Sequence, residues 1–161
     1  MGIGSEEQLA TLVKEKELAV GETVTFKSGQ GIHGIIFGRA PAAEYAGKPV
    51  KIEPGVLPVR LAGTVHESTS RQQFSIDRQG NAPFILTNLS KTIILQIVDG
   101  LGEKRNLPPR MQTHLAKNTL AMQRVKIGWF AVNEVSVQSV ATDSGDKNWS
   151  VGFMWRNKEL E

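Results

Sequence analysis

The apolar and polar positions change period once along the chain. Near the start, Leu9, Leu12, Val13 and Lys16 share one face at helical spacing, with Glu6, Glu7, Lys14, Glu15 and Glu17 around the rest. Ser5, with Gln8 three residues later, forms a capping-box pattern. This predicts an amphipathic helix that ends at Gly21. Its apolar stripe is narrow and a helix this short is marginal alone, so it must lean on its own domain or on a neighbouring subunit.

After Gly21 the period becomes two. Val24 and Phe26 alternate with polar residues, as do Leu57, Val59 and Leu61, and then Phe74 and Ile76. Ile93, Leu95 and Ile97 fall on one face while Ile94 and Val98 fall on the other, which is how a strand buried on both sides reads. Val125, Ile127, Trp129 and Ala131 alternate next, followed by Val135 and Val137, and by Trp149, Val151, Phe153 and Trp155 on a single face. Polar, glycine-bearing stretches at 78–81 and 142–148 supply hairpin connections.

The pattern predicts a mainly β fold, an antiparallel β-sandwich or jelly-roll-like barrel of about eight to ten strands. Residues 1–21 would form an N-terminal helical arm and residues 22–161 a single β-rich domain. One stretch departs from the strand pattern. A polar loop at 99–110 ends in Pro108-Pro109, and Met111, Leu115 and Met122 then fall roughly on one face. Pro109 suits a first helical position, so a second short helix is expected near 110–122.

Gly29-Gln-Gly31-Ile-His-Gly34 matches G-x-G-x-x-G after an expected strand, and Glu53 ends a further expected strand, Val50–Ile52, nineteen residues beyond Gly34. A dinucleotide fold would need a helix directly after these glycines. Gly38 and Pro41 would lie inside it, costing about 1 and about 3 kcal/mol relative to Ala. The β-branched pair Ile35-Ile36 also favours extended backbone. The expectation is therefore a glycine-rich turn into a strand over Ile32–Phe37.

Composition narrows the chemistry. A chain of 161 residues, 40% hydrophobic and 22% charged, buries roughly two-thirds of its unfolded surface. Having no cysteine, it has no disulfide, iron–sulfur, thiolate-zinc or cysteine-nucleophile chemistry. His33, His66 and His114 lack any compact metal-ligand spacing, and His66-Glu-Ser-Thr-Ser70 lacks the elbow of a serine hydrolase. No catalytic, cofactor or metal residue is assigned. No apolar run approaches the ~20 residues of a membrane-spanning helix. The N-terminus lacks the flank and core of a signal peptide, so a cytoplasmic or virion-borne location without membrane contact is expected.

The net charge of +3 conceals a separation. Glu6, Glu7, Glu15, Glu17 and Glu22 crowd the start, whereas residues 104–133 carry Lys104, Arg105, Arg110, Lys117, Arg124 and Lys126 and no acid. The sequence thus points to a non-enzymatic structural or assembly subunit, such as a viral or phage capsid, decoration or tail component. It would act by self-association or contact with another subunit. Leu9, Leu12, Val13, Lys104, Arg105, Arg110, Lys117, Phe130 and Met154 are the expected contact residues.

Two other readings follow different residues. A carbohydrate- or small-ligand-binding sandwich would use Trp129, Trp149 and Trp155 as a platform, although their alternation with Val151 and Phe153 or with Val125 and Ile127 favours a core. A nucleic-acid-binding accessory protein would use the basic 104–126 segment.

Overall fold

The computed structural model describes residues 15–27, 31–42, 52–63, 69–78, 84–115, 124–127, 133–142 and 149–157. They form twelve strands. The first six are β1 (Lys16–Leu18), β2 (Thr23–Lys27), β3 (Gly34–Gly38), β4 (Val56–Leu61), β5 (Phe74–Asp77) and β6 (Phe84–Asn88). The others are β7 (Leu95–Val98), β8 (Lys104–Leu107), β9 (Gln112–Leu115), β10 (Arg124–Ile127), β11 (Asn133–Thr142) and β12 (Trp149–Asn157).

Two six-stranded sheets result, in the orders β1-β4-β3-β5-β6-β9 and β2-β12-β11-β10-β7-β8. The mainly β, sandwich-like architecture is as the alternation predicts. Eight of the ten strand pairs are antiparallel; β4 runs parallel to both β1 and β3. The inward positions are those of the period-two pattern. Phe37, Phe74, Ile76 and Leu86 from the first sheet share one buried cluster with Phe26, Leu95, Val135, Phe153 and Trp155 from the second. Phe37 bridges the sheets, with its ring 5.0 Å from that of Phe74 and 5.4 Å, edge-on, from that of Phe153.

The expected helices fare differently. Residues 1–14, including Leu9, Leu12 and Val13, lie outside the described residues. The end of the expected first helix is not helical: Lys16–Leu18 is β1, with Lys16 opposite Val59 and Leu18 opposite Leu61. Leu18 is fully buried and belongs to the cluster shared by the two sheets. Gly21, at φ 87°, instead turns the chain from the first sheet into the second, its N–H bonding the Trp155 carbonyl.

In the expected second helix, Gln112–Leu115 is an edge strand paired with β6. Arg110 takes a left-handed φ of 68° directly after the two prolines and turns the chain back beside Asn88, so no helix starts there. Met111 is 54% exposed, which shows that its spacing to Leu115 marks no core-facing stripe. Residues 116–122 lie outside the described residues.

Candidate functional site

Four strands of the first sheet end or begin at the same edge of the fold. There β3 runs out at Gly38, β5 starts at Phe74 opposite Phe37, β6 ends at Asn88 opposite Phe74, and β9 starts opposite Thr87. Each adjoining loop delivers one cation: Arg39 after β3, Arg71 before β5, Lys91 after β6 and Arg110 before β9. All four line one open concavity of about 660 Å³, together with Ser70, Ser90, Thr92 and Gln72. None of its described lining residues is acidic or aromatic.

The sequence brings these loops together through two devices. The first is Gly38. A Cβ there would sit 1.9 Å from the Arg71 carbonyl oxygen, so only glycine lets the 69–72 loop lie against the end of β3. That close approach is held by Arg39 N–H to Ser70 O (2.9 Å), Ala40 N–H to Arg71 O (3.2 Å) and Gln72 Nε2 to Pro41 O (3.0 Å). Arg39 Nε also donates to Thr69 O at 3.2 Å, which orients its guanidinium.

The second device is a buried polar network under the loops, centred on Gln73, Asn88 and Ser90. Asn88 Nδ2 donates to the carbonyls of Ile93 and Leu107, and its Oδ1 accepts from Ser90 N–H and from Gln73 Nε2. Gln73 Oε1 accepts from Ser70 N–H. Ser90 Oγ accepts from the N–H groups of Thr92 and Ile93 and lies 2.7 Å from Ser70 Oγ. With both lone pairs of Ser90 taken, its proton goes to Ser70, and the Ser70 proton is left as a donor on the concavity's wall. Buried polar groups satisfied in this way hold their loops in one arrangement.

At the opposite end of the same strands lies a charge pair. His33 Nδ1 is 2.9 Å from Asp77 Oδ1, beside the Pro54-Gly55 turn that leads into β4. The hydrogen bond to Asp77 raises the His33 pKa above its ordinary value, against a lowering by partial burial. Gly55, at φ 87°, is required because a Cβ there would meet the imidazole Cδ2 at 2.6 Å. The Gly31 and Gly34 part of the G-x-G-x-x-G run is therefore a turn into β3, as expected, and no strand precedes Glu53 within the described residues: the chain passes from Ile52 through that turn into β4. Among the described residues no group of three or more His, Asp or Glu is arranged to hold a metal ion, and no helix is long and apolar enough to cross a membrane.

The expected contact residues scatter. Lys104 and Arg105 lie on opposite faces of β8. Lys104 is opposite Val98 on the outer side, whereas Arg105 reaches across to the His114 carbonyl of β9 at 3.3 Å. Arg124 and Lys126 share that outer face with Ser136, Glu134, Met154 and Arg156. The long acid-free stretch of sequence ends at Glu134, which is almost fully buried, with Oε2 3.9 Å from Arg124.

A second concavity, of about 560 Å³, is lined by Arg124, Arg156, Ser136 and the Asp99–Gly102 hairpin tip. Its cations sit among the acids Asp99 and Glu134. Met154 is half-buried on that face. Trp155 is fully buried and gives its indole N–H to Ala62 O at 2.9 Å, which removes it from any ligand platform. Lys117, Trp129 and Phe130, and the side chain of Trp149, lie outside the described residues.

Of the expected basic residues that are described, only Arg110 reaches the four-cation concavity. Arg39, Arg71 and Lys91 were not legible as a set. Each stands alone in sequence, and the one local signal is that each follows a strand end or a serine in a turn. No family model, curated protein or solved structure matches the chain.

Proposed function

We propose that the chain is a non-enzymatic contact protein, a structural or assembly subunit whose sandwich holds a basic cleft against an anionic partner. The observation that carries this reading is the convergence of Arg39, Arg71, Lys91 and Arg110 on one concavity with no acid among its described lining residues. An open concavity lined by several cations attracts anions. The loops are fixed in advance by Gly38 and the Gln73–Asn88–Ser90 network, so little ordering entropy opposes binding. At the other end, His33 is committed to Asp77 and to the adjoining turn, which is a positioning role.

The test is a titration of the full chain with two generic polyanions, poly-L-glutamate and single-stranded oligo-dT, at low salt. Binding to at least one of them is expected, weakening as salt rises and abolished by Lys91→Glu/Arg110→Glu. Failure to bind either would overturn the reading.

A further inference from the structure

We infer that Arg110 is the residue through which the cleft grips its anion, an oxyanion presenting two oxygens to the guanidinium, and that the turn before β9 keeps a costly conformation for that side chain. This rests on the anion-binding reading above. Arg110 lines the concavity from an exposed position. No acid among the described residues pairs with its guanidinium. Arg39, by contrast, spends its Nε on the Thr69 carbonyl.

The backbone supplies the second observation. The turn Pro108–Met111 closes with Met111 N–H donating to Pro108 O at 3.2 Å, with Pro109 second and Arg110 third. A turn with proline second and a positive φ third favours glycine there. Arg110 stands in that place at φ 68°, the non-glycine residue with positive φ among those described. A Cβ in this region is disfavoured, and backbone held so at a cleft points to a use for the side chain. The turn is also fixed in place. Arg110 N–H donates to Asn88 O at 3.0 Å, and Met111 O accepts from Asn88 N–H at 2.9 Å, which ties the turn to the buried network. Glycine would serve this turn better; what arginine adds is a planar fork that engages two oxygens of a carboxylate or phosphate at once.

The experiment measures the affinity of the full chain for labelled oligo-dT and poly-L-glutamate at low salt by fluorescence anisotropy, beside urea unfolding of each variant. Arg110→Ala and Arg110→Gly should both weaken binding about ten- to a hundred-fold. Only Arg110→Gly should also raise the urea midpoint, because it alone removes the Cβ from the left-handed turn. Arg110→Lys keeps the charge without the fork and should lose about three- to ten-fold. Lys104→Ala removes one positive charge from outside the concavity and should change affinity by less than about two-fold. The probe whose binding depends on Arg110 names the oxyanion, phosphate for oligo-dT and carboxylate for poly-L-glutamate.

Wild-type affinity retained in Arg110→Ala and Arg110→Gly overturns the assignment and leaves the anionic-partner reading intact; a wild-type chain that binds neither probe overturns both. An equal loss in Lys104→Ala reduces the effect to net charge and overturns the assignment. Full affinity in Arg110→Lys overturns the paired-oxygen contact. A urea midpoint for Arg110→Gly at or below that of Arg110→Ala shows an unstrained turn and overturns the claim that it is kept for this side chain.

Discussion

The two ends of the first sheet are built from the same strands and use charge in opposite ways. At the Gly34 end, the histidine and the carboxylate face each other at 2.9 Å, and their interaction is spent on the turn between them. At the Gly38 end, four cations converge without an acid among the described lining. The outer face of the second sheet resembles the first case, since Arg124 and Arg156 sit among Glu134 and Asp99. An ion pair within the fold holds the fold; cations that line an open concavity face what lies outside it.

The hardest test of this contrast is Asn88→Ala. It strips the carbonyls of Ile93 and Leu107 and the N–H of Ser90 of their buried partner, and a loss of about 3 kcal/mol is expected in urea unfolding. Anion binding should weaken as well, because two of the four cation-bearing loops rest on this side chain. A stable variant with unchanged affinity would mean that the network does not organise the cleft.

Gly38→Ala should cost less, about 1–3 kcal/mol, because the 69–72 loop can retreat from the added Cβ. Here affinity should suffer out of proportion to stability, since Arg39 and Arg71 separate. Equal binding by this variant would show that their close approach is irrelevant.

The smallest effect belongs to the other end. Because the folded pKa of His33 is raised, its pairing with Asp77 contributes fully below the ordinary value of 6.5 and is lost as pH rises through the folded value. Both groups are more than a third exposed, so solvent screening holds the contribution to about 0.2–1 kcal/mol. Asp77→Asn should flatten this part of the stability–pH profile and leave anion binding unchanged at every pH. A change in affinity would join the two ends that the structure keeps apart.

Strand identity was legible because side chains alternate every two residues, and Phe74, Ile76, Val151 and Phe153 declare their face without knowledge of their neighbours. The second helix was misread for a local reason. Met111 and Leu115 carry helical spacing, but the left-handed turn at Arg110 and the open edge of β6 decide the backbone. Charge along the chain was misleading for a similar reason: the described members of the run from Lys104 to Lys126 scatter over both faces of a sheet and two different edges, and Arg124 and Lys126 face an acid just beyond the run.

By itself the sequence determined the class of fold, the inward positions and the absence of cysteine chemistry, because periodicity and composition are properties of the chain alone. Only the tertiary structure decided where charge accumulates. Arg39, Arg71, Lys91 and Arg110 are separated by long stretches of chain, and they meet because β3, β5, β6 and β9 are hydrogen-bonded in one register. Electrostatic potential follows distance in space, and strand register sets that distance.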